Sequence, residues 1–174
     1  MSKLDAPKVP GPGSRRLEQA GEEDALEMMK WFPTAARCHE WGGPEFRFPF
    51  TPATFREDMQ LERLPSYVLL DAGDGALMGF GQYYARLDRC HLARIVVAPP
   101  YRGRRIGEGL ILELARTGCA ALGADECSLF VLPGNERALR LYRRMGFVEE
   151  PYVGESLPGS LYMVASFAEM RRQP

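Results

Sequence analysis

The sequence predicts a mixed α/β fold of the α+β kind, folded as one domain. Three observations carry this. The chain has 174 residues, enough for one good core and too few for two. Apolar residues make up 45% and charged residues 26%, a globular balance. The apolar segments follow one order: strands joined by turns first, then strand, helix, strand, helix and strand.

Each element has its own local reason. Arg15 to Glu18 reads as a short strand. Glu22 to Phe32 reads as a helix with acids in its first turn and Leu26, Met29 and Phe32 on one face, stopped by Pro33. From Thr34 to Pro52, Gly42, Gly43, Pro44, Pro49 and Pro52 break regular structure, so this stretch reads as a long loop pinned by Trp41, Phe46, Phe48 and Phe50. Thr54 to Leu61 reads as a second short helix. Tyr67 to Leu70 and Leu77 to Tyr84 form a hairpin around Asp71-Ala72-Gly73-Asp74-Gly75. Cys90 to Val97 is the third strand of this group, closed by Pro99 and Pro100. Gly103 to Leu122 is the clearest helix, with Ile106, Leu110, Ile111, Leu114, Ala115 and Ala121 on one side and Gly123 as its stop. Cys127 to Leu132 is an apolar strand, Asn135 caps a helix to Met145, and Phe147 to Glu149 and Leu161 to Ser166 close the sheet.

Charge and composition narrow the function. With 22 basic and 23 acidic residues the net charge is -1, which gives no basic excess for nucleic acid. No apolar run approaches the roughly 18 residues of a membrane helix, so no membrane partner is expected. Met1 to Gly13 lacks the apolar core of a secretory signal. Residues 1–14 read as a flexible tail and residues 15–174 as the single domain. Cys38, Cys90, Cys119 and Cys127 form no CxxC pair, and read as reduced thiols of a cytoplasmic protein. Cys38-His39 and Cys90-His91 lack zinc-ligand spacing, and on a strand Cys90 and His91 would point to opposite faces. No metal is expected.

The informative stretch runs from Val97 to Gly107. A strand ends, a tight turn follows and the long helix starts. Backbone N–H groups at a helix start carry partial positive charge. Gly103 and Gly107 let the main chain approach a ligand, and Arg102, Arg104 and Arg105 add charge. The combination suits a phosphate or pyrophosphate. It is neither a Walker loop nor a Rossmann fingerprint. Read by themselves, these features equally suit solvated arginines and packing glycines.

Arg102-Gly103-Arg104-Arg105-Ile106-Gly107 resembles the pyrophosphate loop of the GNAT superfamily of acyl-CoA N-acyltransferases: Arg or Gln, two residues, Gly, any residue, Gly or Ala. Asn135-Glu136-Arg137-Ala138-Leu139-Arg140-Leu141-Tyr142, with Gly146-Phe147 after it, resembles the family's second signature. Both stand in the family's order. The resemblance is firm over Cys90 to Phe147 and looser over Arg15 to Ala165. One position departs: Arg105 stands where the loop usually has its first glycine.

The resemblance implies a central mixed sheet with helices on both faces and a splayed pair of parallel strands, Cys90–Val97 and Cys127–Leu132. It implies acetyl-CoA as co-substrate and direct attack by a primary amine. The backbone of Ile95, Val96 and Val97 would hold the pantetheine arm, with Val97 N–H also polarising the thioester carbonyl. Arg102, Gly103, Arg104, Arg105, Ile106, Gly107 and Glu108 would hold the pyrophosphate. Asn135 would touch the cofactor arm as well as cap its helix. Tyr142 would be the general acid, although helical spacing alone makes it a core tyrosine. His91 is the candidate base, on the strand leading into the loop, where it also reads as a hydrogen-bonded strand histidine. Strict alternation puts His91, Ala93 and Ile95 on one face, opposite Leu92 and Arg94. Glu40, Asp88 and water are the other candidates for the base.

The acceptor would lie against Trp41 to Phe50, with Tyr83, Tyr84 and Tyr152. Aromatics and few acids there suit an apolar surface better than a polycation. A homodimer is possible by the same resemblance. The second reading is a non-catalytic acyl-CoA-binding sensor or regulatory module. Arg105 favours it, and Asn135 with Tyr142 weigh against it.

Overall fold

The computed structural model describes residues 14–156 and 158–172. The expected tail, residues 1–14, lies outside the described residues except for Ser14. Seven strands form one sheet in the order β1-β2-β3-β4-β5-β7-β6. They are β1 (Arg15–Gln19), β2 (Ser66–Asp71), β3 (Leu77–Arg86), β4 (Arg89–Val97), β5 (Glu126–Val131), β6 (Val148–Glu149) and β7 (Leu161–Ser166). All neighbours are antiparallel except β4 and β5. The mixed sheet follows from connection length. Short turns join β2 to β3 and β3 to β4, whereas the return from β4 to β5 carries a helix.

Helices cover both faces. On one side lie α1 (Glu22–Met28), α2 (Ala35–Gly42) and α3 (Pro52–Met59), whose Met28, Cys38, Phe55 and Met59 pack with Val68 and Phe80 of the sheet. On the other lie α4 (Ile106–Leu122), α5 (Glu136–Arg144) and the short α6 (Phe167–Met170), meeting Leu92, Cys127, Leu129 and Met163. The α4 stripe is as expected for Ile106, Leu110, Ile111, Leu114 and Ala115, all buried, while Ala121 is exposed. In α1 the buried face is Ala25 and Met28, and Leu26 is 42% exposed. A 3-10 turn over Met29–Trp31 rotates the last residues inward, so Trp31 and Phe32 are buried.

Two further expectations are corrected. The stretch from Thr34 to Pro52 is not all loop. Thr34 accepts a hydrogen bond from Arg37 N and starts α2, which Gly43 ends at φ 94°. Beyond it, Arg47 clamps the remaining loop onto α3 through Asp58 (2.7 Å) and Glu57 (2.8 Å). Second, β4 does not alternate throughout. Phe80 faces Val96 but Gln82 faces Ala93, so two steps on β3 span three on β4. This β-bulge puts Arg94 in the left-handed region at φ 49°. Arg94 therefore joins His91's side of the sheet, bonding Gln82 Oε1, while Ile95 packs on the α4 side with Leu92.

Candidate active site

The parallel pair β4–β5 holds together only at its start. Cys90 pairs with Cys127 and His91 with Ser128, and then the strands part. A cleft of about 930 Å³ opens between them and continues over the start of α4. Its wall is the unpaired edge of β4. Ala98 N donates to Met78 O on the β3 side, so by alternation the Val97 N–H and C=O face the cleft and those of Val96 turn to β3. The Val97 carbonyl already accepts from Arg102 Nε at 3.1 Å. Buried backbone groups need partners. A strand edge left open along a cleft is suited to an extended ligand carrying amides.

The turn after β4 prepares the mouth of the cleft. Gly103 has φ 79° and Arg105 φ 57°, and α4 begins at Ile106. Arg105 thus keeps the left-handed conformation that glycine adopts readily, at a cost of roughly 1–2 kcal/mol for a residue with Cβ. It is exposed, which gives its side chain the room it needs. A Cβ on Gly107 would sit 3.2 Å from Leu141 and 3.7 Å from Val97, filling space between α4, α5 and the strand edge. Ile95, Val96, Val97, Arg102, Gly103, Arg105, Ile106, Gly107 and Glu108 all line the cleft. Arg104 does not, and its guanidinium lies over the Tyr101 ring at 5.7 Å. Burial lowers the Arg102 pKa, and the neighbouring Arg37 and Arg137 cations lower it further. Like charges gathered at a helix start make a place short of an anion. Of the acids nearby, Glu40 partly offsets the charge on Arg102, and Glu108 is tied to Arg144 Nε at 2.9 Å. These residues fit a pyrophosphate followed by an amide-bearing arm.

Asn135 caps α5, its Oδ1 accepting from Ala138 N at 3.2 Å, and it lines the cleft beside Ala138 and Leu141. Tyr142 lines the same wall and is 9% exposed. Burial pushes its pKa up to about 12, so the phenol holds its proton through the neutral range. His91 lines the cleft at the parting point, 2% exposed, with Nδ1 bonded to Ser128 Oγ at 2.8 Å. Burial first, then the Arg86 cation, push its pKa down to about 3, so the ring is neutral. Cys90 points the other way, and its thiol lies within 4.8 Å of those of Cys119 and Cys127 in the core.

The half of the cleft under α2 is aromatic. Trp41 stacks on Phe32 at 4.4 Å, and its Nε1 donates to Arg94 O at 2.8 Å. Trp31, Tyr84, Glu40 and Arg94 also line it. The other expected aromatics have different places. Phe46 and Phe50 pack on Phe55, and Phe48 packs on Phe50. Tyr83 stacks on Tyr67 against α4, and Tyr152 lies by Arg86 and Phe130. Asp88 sits in the β3–β4 turn at φ 58°, outside the lining. Sequence reasoning missed Arg94, because the bulge that turns it into the cleft leaves no mark in the residue pattern.

The parted parallel strands with a helix start at their mouth are the splayed pair that the motif resemblance implies. Residues 35–147 match the Acetyltransferase (GNAT) family, and the chain belongs to it. It is an N-acetyltransferase with acetyl-CoA as its acyl donor. Over 108 residues it is 29% identical to a Bacillus subtilis protein provisionally named a ribosomal protein bS18 alanine N-acetyltransferase, covering 62% of this chain and 70% of that one. The aminoglycoside acetyltransferase AAC(6')-Ib, solved with ribostamycin and coenzyme A, superposes with TM-score 0.72 at 22% identity, over 91% of this chain and 97% of that one. The Vibrio cholerae spermidine N-acetyltransferase with CoA and spermine gives TM-score 0.70 at 18% identity, over 91% and 98%.

Proposed function

We propose that the chain transfers an acetyl group to a primary amine in the cleft between β4 and β5, with Tyr142 as general acid and His91 as proton acceptor. The observation that carries this is the open edge of β4 leading directly into an anion-suited helix start. Acetyl-CoA supplies the acyl group as a thioester. The N–H groups at the start of α4, with Arg102, Gly103, Arg105, Ile106 and Gly107, hold the pyrophosphate. Arg104 strengthens the local positive field, and Glu108 positions Arg144. The edge groups of Ile95 and Val97 hold the pantetheine arm as an added strand would, whereas the Val96 backbone, expected to share this role, is turned to β3; Asn135 offers its amide from the opposite wall. The Val97 N–H polarises the thioester carbonyl.

His91 is too weak a base, at about 3, to strip a free ammonium ion. It takes the proton only after attack has begun, when the nitrogen becomes cationic and its N–H acidic. Ser128 fixes the ring for this. Tyr142 delivers its proton to the departing sulfur. Tyr142→Phe is expected to lower kcat about 100-fold while acetyl-CoA affinity changes less than threefold. Thiol release under saturating amine reads the first, and titration calorimetry the second. Unchanged turnover would remove Tyr142 from the mechanism. The same reading places the enzyme in the cytoplasm and allows a homodimer.

A further inference from the structure

Arg94 is the least explained residue in the cleft. It occupies the bulge of β4 with φ 49°, a conformation that side chains rarely adopt without a reason. Its guanidinium is largely buried yet makes no ion pair among the described residues. Nη1 donates to Gln82 Oε1 at 2.8 Å and Met59 O at 3.2 Å, both neutral. Asp58, the acid whose charge it feels, is already held by Arg47. Gln82 is fully buried, and its Nε2 donates to Met59 O and Ser66 Oγ, each at 2.8 Å. That fixes the amide so that only its oxygen can meet Arg94. The network therefore holds the guanidinium in one place without neutralising it. A desolvated charge without a counterion is costly. It is a common arrangement where a ligand brings the counterion.

We propose that Arg94 binds a carboxylate of the acceptor, and that the acceptor is an α-amino acid with an apolar side chain. The proposal rests on the acetyltransferase reading and names the substrate class of that site. Arg94 shares its half of the cleft with Trp31, Phe32, Trp41 and Leu64, which suit an apolar side chain. The acid lining that half, Glu40, faces Arg37 at 3.5 Å. A polyamine or aminoglycoside would bring like charge to Arg94 and find no array of carboxylates to offset it. A carboxylate next to the amine meets the guanidinium while the nitrogen reaches the strand edge. Arginine's planar fork suits that group.

The test measures thiol release from acetyl-CoA with three amine pools: the common α-amino acids, their α-amides and the matching decarboxylated amines. Polyamines form a fourth arm. Wild type is expected to favour the apolar acids over their amides and amines by about ten- to hundredfold in kcat/KM. Arg94→Gln should raise KM for the acids by about that factor and erase the preference, with acetyl-CoA affinity unchanged by calorimetry. Arg94→Lys, which keeps the charge without the fork, should recover part of it. A thermal melt of each variant separates lost binding from lost folding. Amides, amines or polyamines used as well as the acids would overturn the proposal and leave acetyl transfer standing. So would an Arg94→Gln whose only defect is in acetyl-CoA binding. Turnover of no amine, with no acetyl-CoA binding, would remove both readings.

Discussion

His91 and Tyr142 flank the parting of β4 and β5, and both are neutral: burial and then the Arg86 cation pull His91 far below its ordinary value, and burial raises Tyr142 still further above the neutral range. For His91 this has a stability consequence. Its pKa falls from 6.5 in the unfolded chain to about 3 in the folded one. The folded state is favoured fully above pH 6.5, and that contribution is lost as pH falls from there towards 3. About one proton is taken up on unfolding in this window. Chemical denaturation from pH 7 to 4 should show a steeper loss of stability in wild type than in His91→Gln, most clearly above about pH 5 where carboxylates contribute little. Parallel slopes in the two proteins would mean His91 is open to solvent. Both residues were visible in the sequence, Tyr142 through its signature and His91 by its place before the loop. Arg94 was not. Strict alternation assigns it to the wrong face, and the bulge that moves it is set by the register of β3.

At the scale of elements, legibility followed periodicity. The apolar stripe of α4 has many members at helical spacing, and its buried set matches the reading closely. The short helix α1 has too few turns for a stripe to average out, and Leu26 was put inside where Ala25 and Met28 belong. Leu114→Ala should therefore cost about 2–5 kcal/mol, while Leu26→Ala should stay within about 0.5 kcal/mol. Urea denaturation checks both, and equal costs would contradict the assigned faces. The helix α2 was hidden by the punctuation around it. Gly42, Gly43 and Pro44 read as a loop, but the residues before them suffice for a helix capped by Thr34. That helix matters because it carries Trp41 to the carbonyl of Arg94.

In the molecule as a whole, the two sets of helices pack on opposite faces of one sheet, and the cleft runs through the sheet where β4 and β5 separate. The parted strands, the start of α4 and the N-cap of α5 thus line one cleft from separate parts of the chain. No helix among the described residues is long and apolar enough to cross a membrane. The motifs marked the half of this cleft proposed for the acyl donor, because backbone N–H groups and glycines need a fixed spacing. The acceptor half is built from side chains on α2, β3 and β4 that only the tertiary fold brings together. The central claim is that this cleft is the acetyl-CoA site. Titration calorimetry of acetyl-CoA into wild type and Gly107→Glu tests it most directly. The added side chain meets Leu141 and Val97 and carries negative charge to the helix start proposed to hold the pyrophosphate. Micromolar binding to wild type, weakened at least about 100-fold in the variant with the fold intact, is expected. Equal binding by the two proteins, or none by a folded wild type, would contradict the account.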